Sequence, residues 1–229
     1  MFDSAPRSTS PAPHVAIAGG GVVGLAAAWS LAERGARVTL YDPAQIGRGA
    51  SWAAAGMLAP AFEAGSETEA HPLLFDLCQQ GAAVWPEFAA RLAASGTDET
   101  GFDPGPSLAL ASSPEGLTRL DRLTDRIAAA GLPHRRLAVE AAREIDPAIG
   151  PDVVGALYMP TDGQVDNRRL VRALEAVCRA HNGISLVAAP APLQLRGGKV
   201  AAPGSDVTVI AAGWQSPHLR VSGPEGELR

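Results

Sequence analysis

The stretch His14–Asp42, HVAIAGGGVVGLAAAWSLAERGARVTLYD, constrains the chain more than any other. A short apolar run, Val15 to Ala18, reads as a strand. Gly19, Gly21 and Gly24 follow in the spacing G-x-G-x-x-G. Leu25 to Glu33 reads as an alanine-rich helix closed by Gly35, and Arg37 to Tyr41 as a second strand with Asp42 at its end. Strand, glycine turn, helix, strand and acid come in the order that suits a dinucleotide. Gly19 allows a tight turn, Gly21 leaves room for a pyrophosphate, and Gly24 lets the helix pack closely on the sheet. The helix N-terminus, with Val22 and Val23 leading into it, offers free N–H groups and a partial positive charge to phosphates. Asp42 lies 18 residues beyond Gly24, where a carboxylate can accept from ribose hydroxyls.

Glycine supplies 25 of the 229 residues, so the spacing alone is weak; its context carries the reading. Val15 to Ala32 is also an uncharged run of 18 residues, the minimum for a membrane helix. Three consecutive glycines argue against a continuous helix there, and the charged, strand-like sequence after it suits a soluble unit. A hydrophobic content of 46% is globular. The net charge of −5, without long charged runs, gives no sign of nucleic acid or of an anionic membrane surface. Cys78 and Cys178 stand alone in helical contexts and read as buried thiols, and the five histidines show no ligand spacing, so no metal is expected. Residues 1–13 read as a disordered leader without an apolar signal core, making the cytoplasm the default location.

Pro43 to Gly49 is a loop with Arg48, and Ala50 to Pro60, ASWAAAGMLAP, reads as a short helix of small residues that lets something approach closely. The glycine turn, Asp42 and GASWAAAGMLAP together resemble the N-terminal half of the glycine oxidase and D-amino acid oxidase family of flavoproteins. That resemblance implies FAD as cofactor. It implies that Ala50 and Ser51 contact the FAD phosphates, with Pro43 and Arg48 in the same set, and that Ala55, Gly56 and Met57 lie by the isoalloxazine. Met57 would also border the substrate cavity.

Farther on, Glu63 to Ala70 reads as a polar loop. Leu73 to Ala94 has helical periodicity that Pro86 can split. Ser107 to Ala111 reads as a strand, Pro114 to Ala130 as a helix with Ser113 as N-cap, Leu137 to Ile145 as including a short helix, and Gly155 to Met159 as a strand. TDGQVDNRRL, Thr161 to Leu170, resembles the segment that leads the family's substrate domain back to the nucleotide domain. Asp166 suits the N-cap of a surface helix, Arg168 to His181, and neither Asp162 nor Asp166 is given catalysis. Ile184 to Ala188, Pro190 to Leu195 and Lys199 to Ala201 read as strands. The family holds adenine through a backbone group near position 192; Pro192 has no N–H to donate, so one such bond is missing unless the register shifts by one. Asp206 to Ala211, with its VTVIA, reads as a strand, and Ala212-Gly213-Trp214 after it resembles the family segment that returns to the cofactor, which implies contacts from Ala212 and Gly213. Arg220 to Arg229 offers no further strand or helix.

The expected fold is α/β: a Rossmann-like FAD-binding domain, residues 14–65 and 166–229, with a discontinuous and incomplete substrate domain on a mixed or antiparallel sheet, 66–165. The resemblance implies oxidative deamination of a small amino acid, with oxygen as acceptor and hydrogen peroxide released, and a link to thiamine biosynthesis. A homo-oligomer is compatible with the sequence. Family members continue beyond the resemblance, which spans residues 14 to 217; the further portion carries their substrate-gripping arginine and tyrosine. Arg119, Arg122, Arg126, Arg168, Arg169 and Arg172 read instead as solvated faces. No catalytic residue stands out. A D-amino acid or sarcosine-type dehydrogenase with another acceptor, an inactive truncated FAD-binding remnant, and an NAD-binding module remain as alternatives.

Overall fold

The computed structural model describes residues 11–66, 72–96, 100–223 and 226–228. The expected leader up to residue 10, and residues 67–70 of the expected polar loop, lie outside them. The chain divides into two compact units. The first takes the described residues up to Ala54 and from Arg168 onward; the second is Ala55–Asn167.

In the first unit, β1 (His14–Ala18) runs into α1 (Val22–Glu33), then β2 (Arg37–Tyr41) and α2 (Ala50–Ala53). The helix begins one turn before Leu25, because extended Gly21 serves as its N-cap and Val22 and Val23 are already helical. Its end is closed by Gly35 at φ +90°, with the Gly35 N–H donating to Ala32 at 2.9 Å and the Ala36 N–H to Leu31 at 3.1 Å. Gly24, Leu25, Ala28, Trp29 and Ala32 are its buried residues. The small side chains of Gly24, Ala28 and Ala32 let it lie on β1 and β2.

The second unit starts with β3 (Met57–Leu58), α3 (Pro60–Ser66) and α4 (Pro72–Ala94). Next come β4 (Ser107–Ala111), α5 (Pro114–Ala129), β5 (Arg135–Leu137), α6 (Val139–Ile145), β6 (Gly155–Met159) and β7 (Gly163–Gln164). An antiparallel sheet in the order β4-β6-β5 carries α5 on its apolar face. Leu120, Leu123 and Ile127 of α5 meet Ala109, Ala111, Leu157 and Met159 of the sheet in one core. The Ser113 hydroxyl caps α5, accepting from the Gly116 N–H at 3.0 Å. A second, antiparallel pair joins β3 to β7, Met57 opposite Gln164.

The chain returns to the first unit through α7 (Asn167–Ala180), β8 (Ile184–Val187), β9 (Gln194–Arg196), β10 (Lys199–Ala201) and β11 (Val207–Ile210). A 3-10 turn, Gly213–His218, precedes β12 (Val221–Gly223) and β13 (Gly226–Leu228). The parallel sheet runs β11-β1-β2-β8. The strand-by-strand register, Ala16 beside both Thr39 and Thr208, places the start of α1 between the ends of β1, β2 and β11.

Four expectations need correction. The stretch from Glu63 is not a loop as far as Ser66: it continues α3, whose first turn is capped from a distant residue described below. Pro86 does not split α4. Pro190 to Leu193 is not strand; only Gln194 and Leu195 of that stretch are, and Pro192 is exposed. The last stretch is not featureless, since Val221–Gly223 and Gly226–Leu228 pair as a hairpin, and the Ser222 N–H reaches the Leu193 carbonyl at 2.9 Å. Val221 packs with Leu193, Ala202 and Ala16, which holds the hairpin to the unit. Of the two thiols, Cys178 is buried but Cys78 only partly so. No helix among the described residues is long and apolar enough to cross a membrane.

Candidate functional site

The glycine turn is built from backbone at close range. Gly19 has φ +114°, which L side chains rarely adopt, and its N–H donates to the Tyr41 carbonyl at 2.8 Å. A Cβ on Gly19 would strike the carbonyl of Ala211, and a Cβ on Gly24 would strike the carbonyl of Gly19. So β11 and α1 both close on the turn. Gly21 is different: a Cβ there would meet only the Ser51 hydroxyl, at 3.1 Å. The space over Gly21 is open.

Ser51 stands over the same point. Its Oγ accepts from the Val22 N–H at 3.0 Å, so α2 is tied to the N-terminus of α1. Gly21 offers no side chain to cap that helix, and Val23 is exposed. First-turn amides lack intrahelical partners. With an open glycine at the N-cap and one hydroxyl above the first turn, these residues fit a pyrophosphate.

Asp42 is half-buried beside the turn. Its Oδ2 accepts from the Gly20 N–H at 2.7 Å and its Oδ1 from the Ala44 N–H at 2.9 Å. Each carboxylate oxygen has a second lone pair, so acceptance from a ribose stays available. Gly20 itself escaped the sequence reading. A Cβ there would sit 3.0–3.2 Å from Asp42 and Ile46, and its carbonyl accepts from the Gly47 N–H at 2.9 Å. Gly47, at φ +71°, is pressed against a methyl of Val171. The run of three glycines and the lone glycine after Ile46 were the available signals.

Thus Gly19, Gly21, Val22, Val23, Gly24, Asp42, Ser51 and Ala212 gather around one helix end; the Ala212 Cα would lie 2.8 Å from a Gly19 Cβ. Gly213, at φ +56°, opens the 3-10 turn beyond. Pro43 and Ala50 are exposed. Arg48 turns to Trp52, its guanidinium 3.6 Å from the ring centroid, and Arg168 and Arg172 approach the same ring at 5.3 and 5.5 Å. Three cations around one indole are a stacked cluster, so Arg168 and Arg172 are not merely a solvated face. Arg119, Arg122 and Arg126 are exposed on α5. Beside Pro192, the N–H of Leu193 donates to Ala191 at 2.8 Å.

Ala55, Gly56 and Met57 belong to the second unit. Gly56 has φ +79°, its carbonyl accepts from the Val165 N–H at 2.8 Å, and it has no room for a Cβ against the Val165 carbonyl. Asp162, just before β7, is fully buried. Its Oδ1 accepts from the Ala61 N–H at 3.1 Å and its Oδ2 from the Phe62 N–H at 2.8 Å. It therefore caps α3 from 100 positions away. Burial pushes its carboxyl above the ordinary value, against the lowering effect of the two amides. Met57, Phe62, Ser107, Leu108, Met159 and Gln164 line a cavity of about 310 Å³ in this unit. The Ser107 hydroxyl is buried without a hydrogen-bond partner.

Cys178 is unsuited to redox work: burial pushes its thiol up to about 12. Its Sγ lies 3.5 Å from the Leu25 carbonyl, packing α7 against α1. Among the described residues no group of three or more His, Cys, Asp or Glu could hold a metal.

Comparison with known proteins agrees with this geometry. The family model described as FAD dependent oxidoreductase matches residues 14–228. Glycine oxidase of Geobacillus kaustophilus is 36% identical over 165 residues, covering 70% of this chain and 42% of that protein. The crystal structure of glycine oxidase from the same organism superposes with a TM-score of 0.78 at 31% identity, over 90% of this chain and 56% of that one. Iminodiacetate oxidase from Chelativorans sp. BNC1 superposes with a TM-score of 0.73 at 26% identity, again over 90% of this chain and 56% of that one. The chain spans less than half the length of the curated glycine oxidases it matches.

Proposed function

Because the chain belongs to the family of FAD dependent oxidoreductases, we propose that its first unit cradles FAD and that the protein oxidatively deaminates a small amino acid, with glycine the first candidate. The observation that carries this reading is the open space over Gly21, at the start of α1 beside the Ser51 hydroxyl. Gly21, Val22, Val23 and Ser51 would hold the pyrophosphate, and Asp42 the adenosine ribose. Ala212 and Gly213 let backbone approach the cofactor. The second unit would supply Ala55, Gly56 and Met57 beside the flavin ring and serve as the substrate domain. Two structural neighbours are named for oxidising glycine and iminodiacetate, both amino acids with little or no side chain.

When bound, FAD would supply the two-electron oxidation of the carbon bearing the amine, with oxygen as the final acceptor, reduced by two electrons and two protons to hydrogen peroxide. The oxidised substrate is an imine, which water hydrolyses to an oxo acid and ammonia. The residues of this chain bind, orient and exclude water. Asp162 and the β3–β7 pair fix where Met57 stands; neither handles a proton of the substrate.

The test begins with FAD titration followed by flavin fluorescence. Binding of NAD with no binding of FAD would overturn the cofactor reading. Anaerobic addition of glycine, sarcosine or D-alanine to FAD-loaded protein should then bleach the oxidised flavin band. No bleaching by any of them would remove the amine-oxidation reading and leave the cofactor reading standing. Peroxide release on admitting air separates an oxidase from a dehydrogenase with another acceptor.

A further inference from the structure

We infer that Trp52, pinned by three arginines, is a positioning residue for the cofactor: it holds α2 so that the Ser51 hydroxyl stands at the open space over Gly21, where a pyrophosphate would lie. This rests on the reading of the first unit as an FAD cradle.

The sequence of α2 gives it little hold of its own. It has four residues, none of them buried, and its N-cap Gly49 makes no side-chain bond. A single helical turn is unstable alone. Yet its Ser51 Oγ accepts from the Val22 N–H at 3.0 Å, and a Cβ on Gly21 would meet that same oxygen at 3.1 Å. The position of α2 therefore decides what stands over Gly21.

Trp52 is the next residue, about 100° farther round the helix, and it meets different partners. The Arg48 guanidinium lies 3.6 Å from its ring centroid, and those of Arg168 and Arg172 lie at 5.3 and 5.5 Å. Arg168 and Arg172 are four positions apart on α7, so they share a face. The Arg168 Nε also donates to the Trp52 carbonyl at 3.5 Å. Thus Ser51 ties α2 to the start of α1, and Trp52 ties it to the start of α7. The loop before α2 follows the same line. The Gly47 N–H donates to the Gly20 carbonyl at 2.9 Å, and Gly47 lies against Val171, which stands between the two arginines in sequence.

The tie is electrostatic as well as apolar. The negative face of an indole attracts a guanidinium, and arginine stems cover apolar surface that a one-turn helix cannot bury. Leucine at position 52 would keep apolar contact and lose the attraction, whereas phenylalanine would keep much of both. The three arginines are exposed, so changes at this cluster leave the core of the unit alone.

The experiment titrates two ligands: FAD, followed by flavin fluorescence, and ADP, which carries the adenine, ribose and pyrophosphate without the flavin, followed by calorimetry. Trp52→Leu should weaken both by the same factor, roughly three- to tenfold, with urea unfolding of the apo protein nearly unchanged. Trp52→Phe should restore most of the affinity. In a Ser51→Ala background the effect of Trp52→Leu should shrink below about twofold, because a residue that acts through Ser51 then has nothing left to position. Full, additive weakening in that background overturns the proposal. So does a loss of FAD affinity that ADP does not share, which would put the influence of Trp52 at the flavin end, and so does a loss of apo stability as large as the loss of affinity. If Trp52→Leu fails to fold, Arg48→Gln removes the nearest of the three cations and should weaken both ligands about two- to fivefold, again only while Ser51 is present. Unchanged binding in these variants sinks the clamp alone, whereas a parent protein that binds neither ligand sinks the cradle reading and the clamp with it.

Discussion

The two units are built in opposite ways. The first relies on backbone: Gly19, Gly20 and Gly24 bring carbonyls and amides together where side chains would collide, and Gly21 leaves a space open. The second relies on side chains, an apolar lining plus the unpaired Ser107, and on one buried carboxylate, Asp162, that ties β7 to the start of α3. A backbone cradle suits a cofactor that is always the same, since it leaves little to adjust. A side-chain cavity can be retuned one residue at a time. The lesson is where substitutions should act: on backbone approach in the first unit, and on side-chain packing and charge in the second.

The largest effect should come from Gly24→Ala. Its Cβ would strike the Gly19 carbonyl, a backbone atom that cannot move without moving the turn. We expect a loss of roughly 3 kcal/mol or more, at the upper end of overpacking costs, seen as early unfolding of the first unit in urea. Gly21→Val is the matched control. There a side chain meets only the Ser51 hydroxyl, so folding should survive while FAD affinity falls about a hundredfold, near 2.7 kcal/mol. If both variants fold equally well, the distinction between a packing glycine and a binding glycine collapses.

The same contrast explains what the sequence showed. The cradle was legible because its parts lie within 29 residues in a fixed order and each glycine has a local reason. Asp42 was legible by position, but its bonds to Gly20 and Ala44 were not, since nothing in the spacing tells a ribose acceptor from a turn cap. In the second unit the elements were legible one by one, and Ser113 as an N-cap was a local signal. The tie from Asp162 to Ala61 and Phe62 spans a hundred positions, and no local pattern announces it. The terminal hairpin was missed for a similar reason: Val221–Gly223 is a strand because Leu193 and Ala202 receive Val221, not because of its own propensity.

Asp42→Ala sits between the two styles, since a side chain serves the backbone cradle. Removing it should weaken FAD binding by about 1.5–3 kcal/mol, tenfold or more, as for hydrogen bonds to a charged group. It also frees the Gly20 and Ala44 amides. Urea unfolding of the apo protein separates the two contributions. An affinity loss matched by an equal loss of apo stability would make Asp42 a turn cap and nothing more. Weaker FAD binding with apo stability nearly intact would assign it the ribose.

The smallest effect, and the one that best tests the second unit, is the pH dependence set by Asp162. Burial is the larger influence on its carboxyl and raises it above the ordinary 3.8; the Phe62 and Ala61 amides lower it, and nearby Glu63 raises it again. The folded state therefore keeps this proton to a higher pH than the unfolded chain does. Below pH 3.8 both states are protonated, and above the raised value both are ionised. Between the two limits the folded state binds more protons, so its stability falls as pH rises. Asp162→Asn cannot titrate and loses that slope. It also turns an NH₂ toward one of two backbone donors, costing about 1–3 kcal/mol. Unfolding free energies of parent and variant across pH 3 to 7 should show the parent's advantage largest at the acid end and shrinking toward neutrality. An advantage that grows with pH would mean that the two amides outweigh burial and that the carboxylate is held as the ion. The start of α3 would then be fixed by charge, and the second unit would share the electrostatic logic of the first.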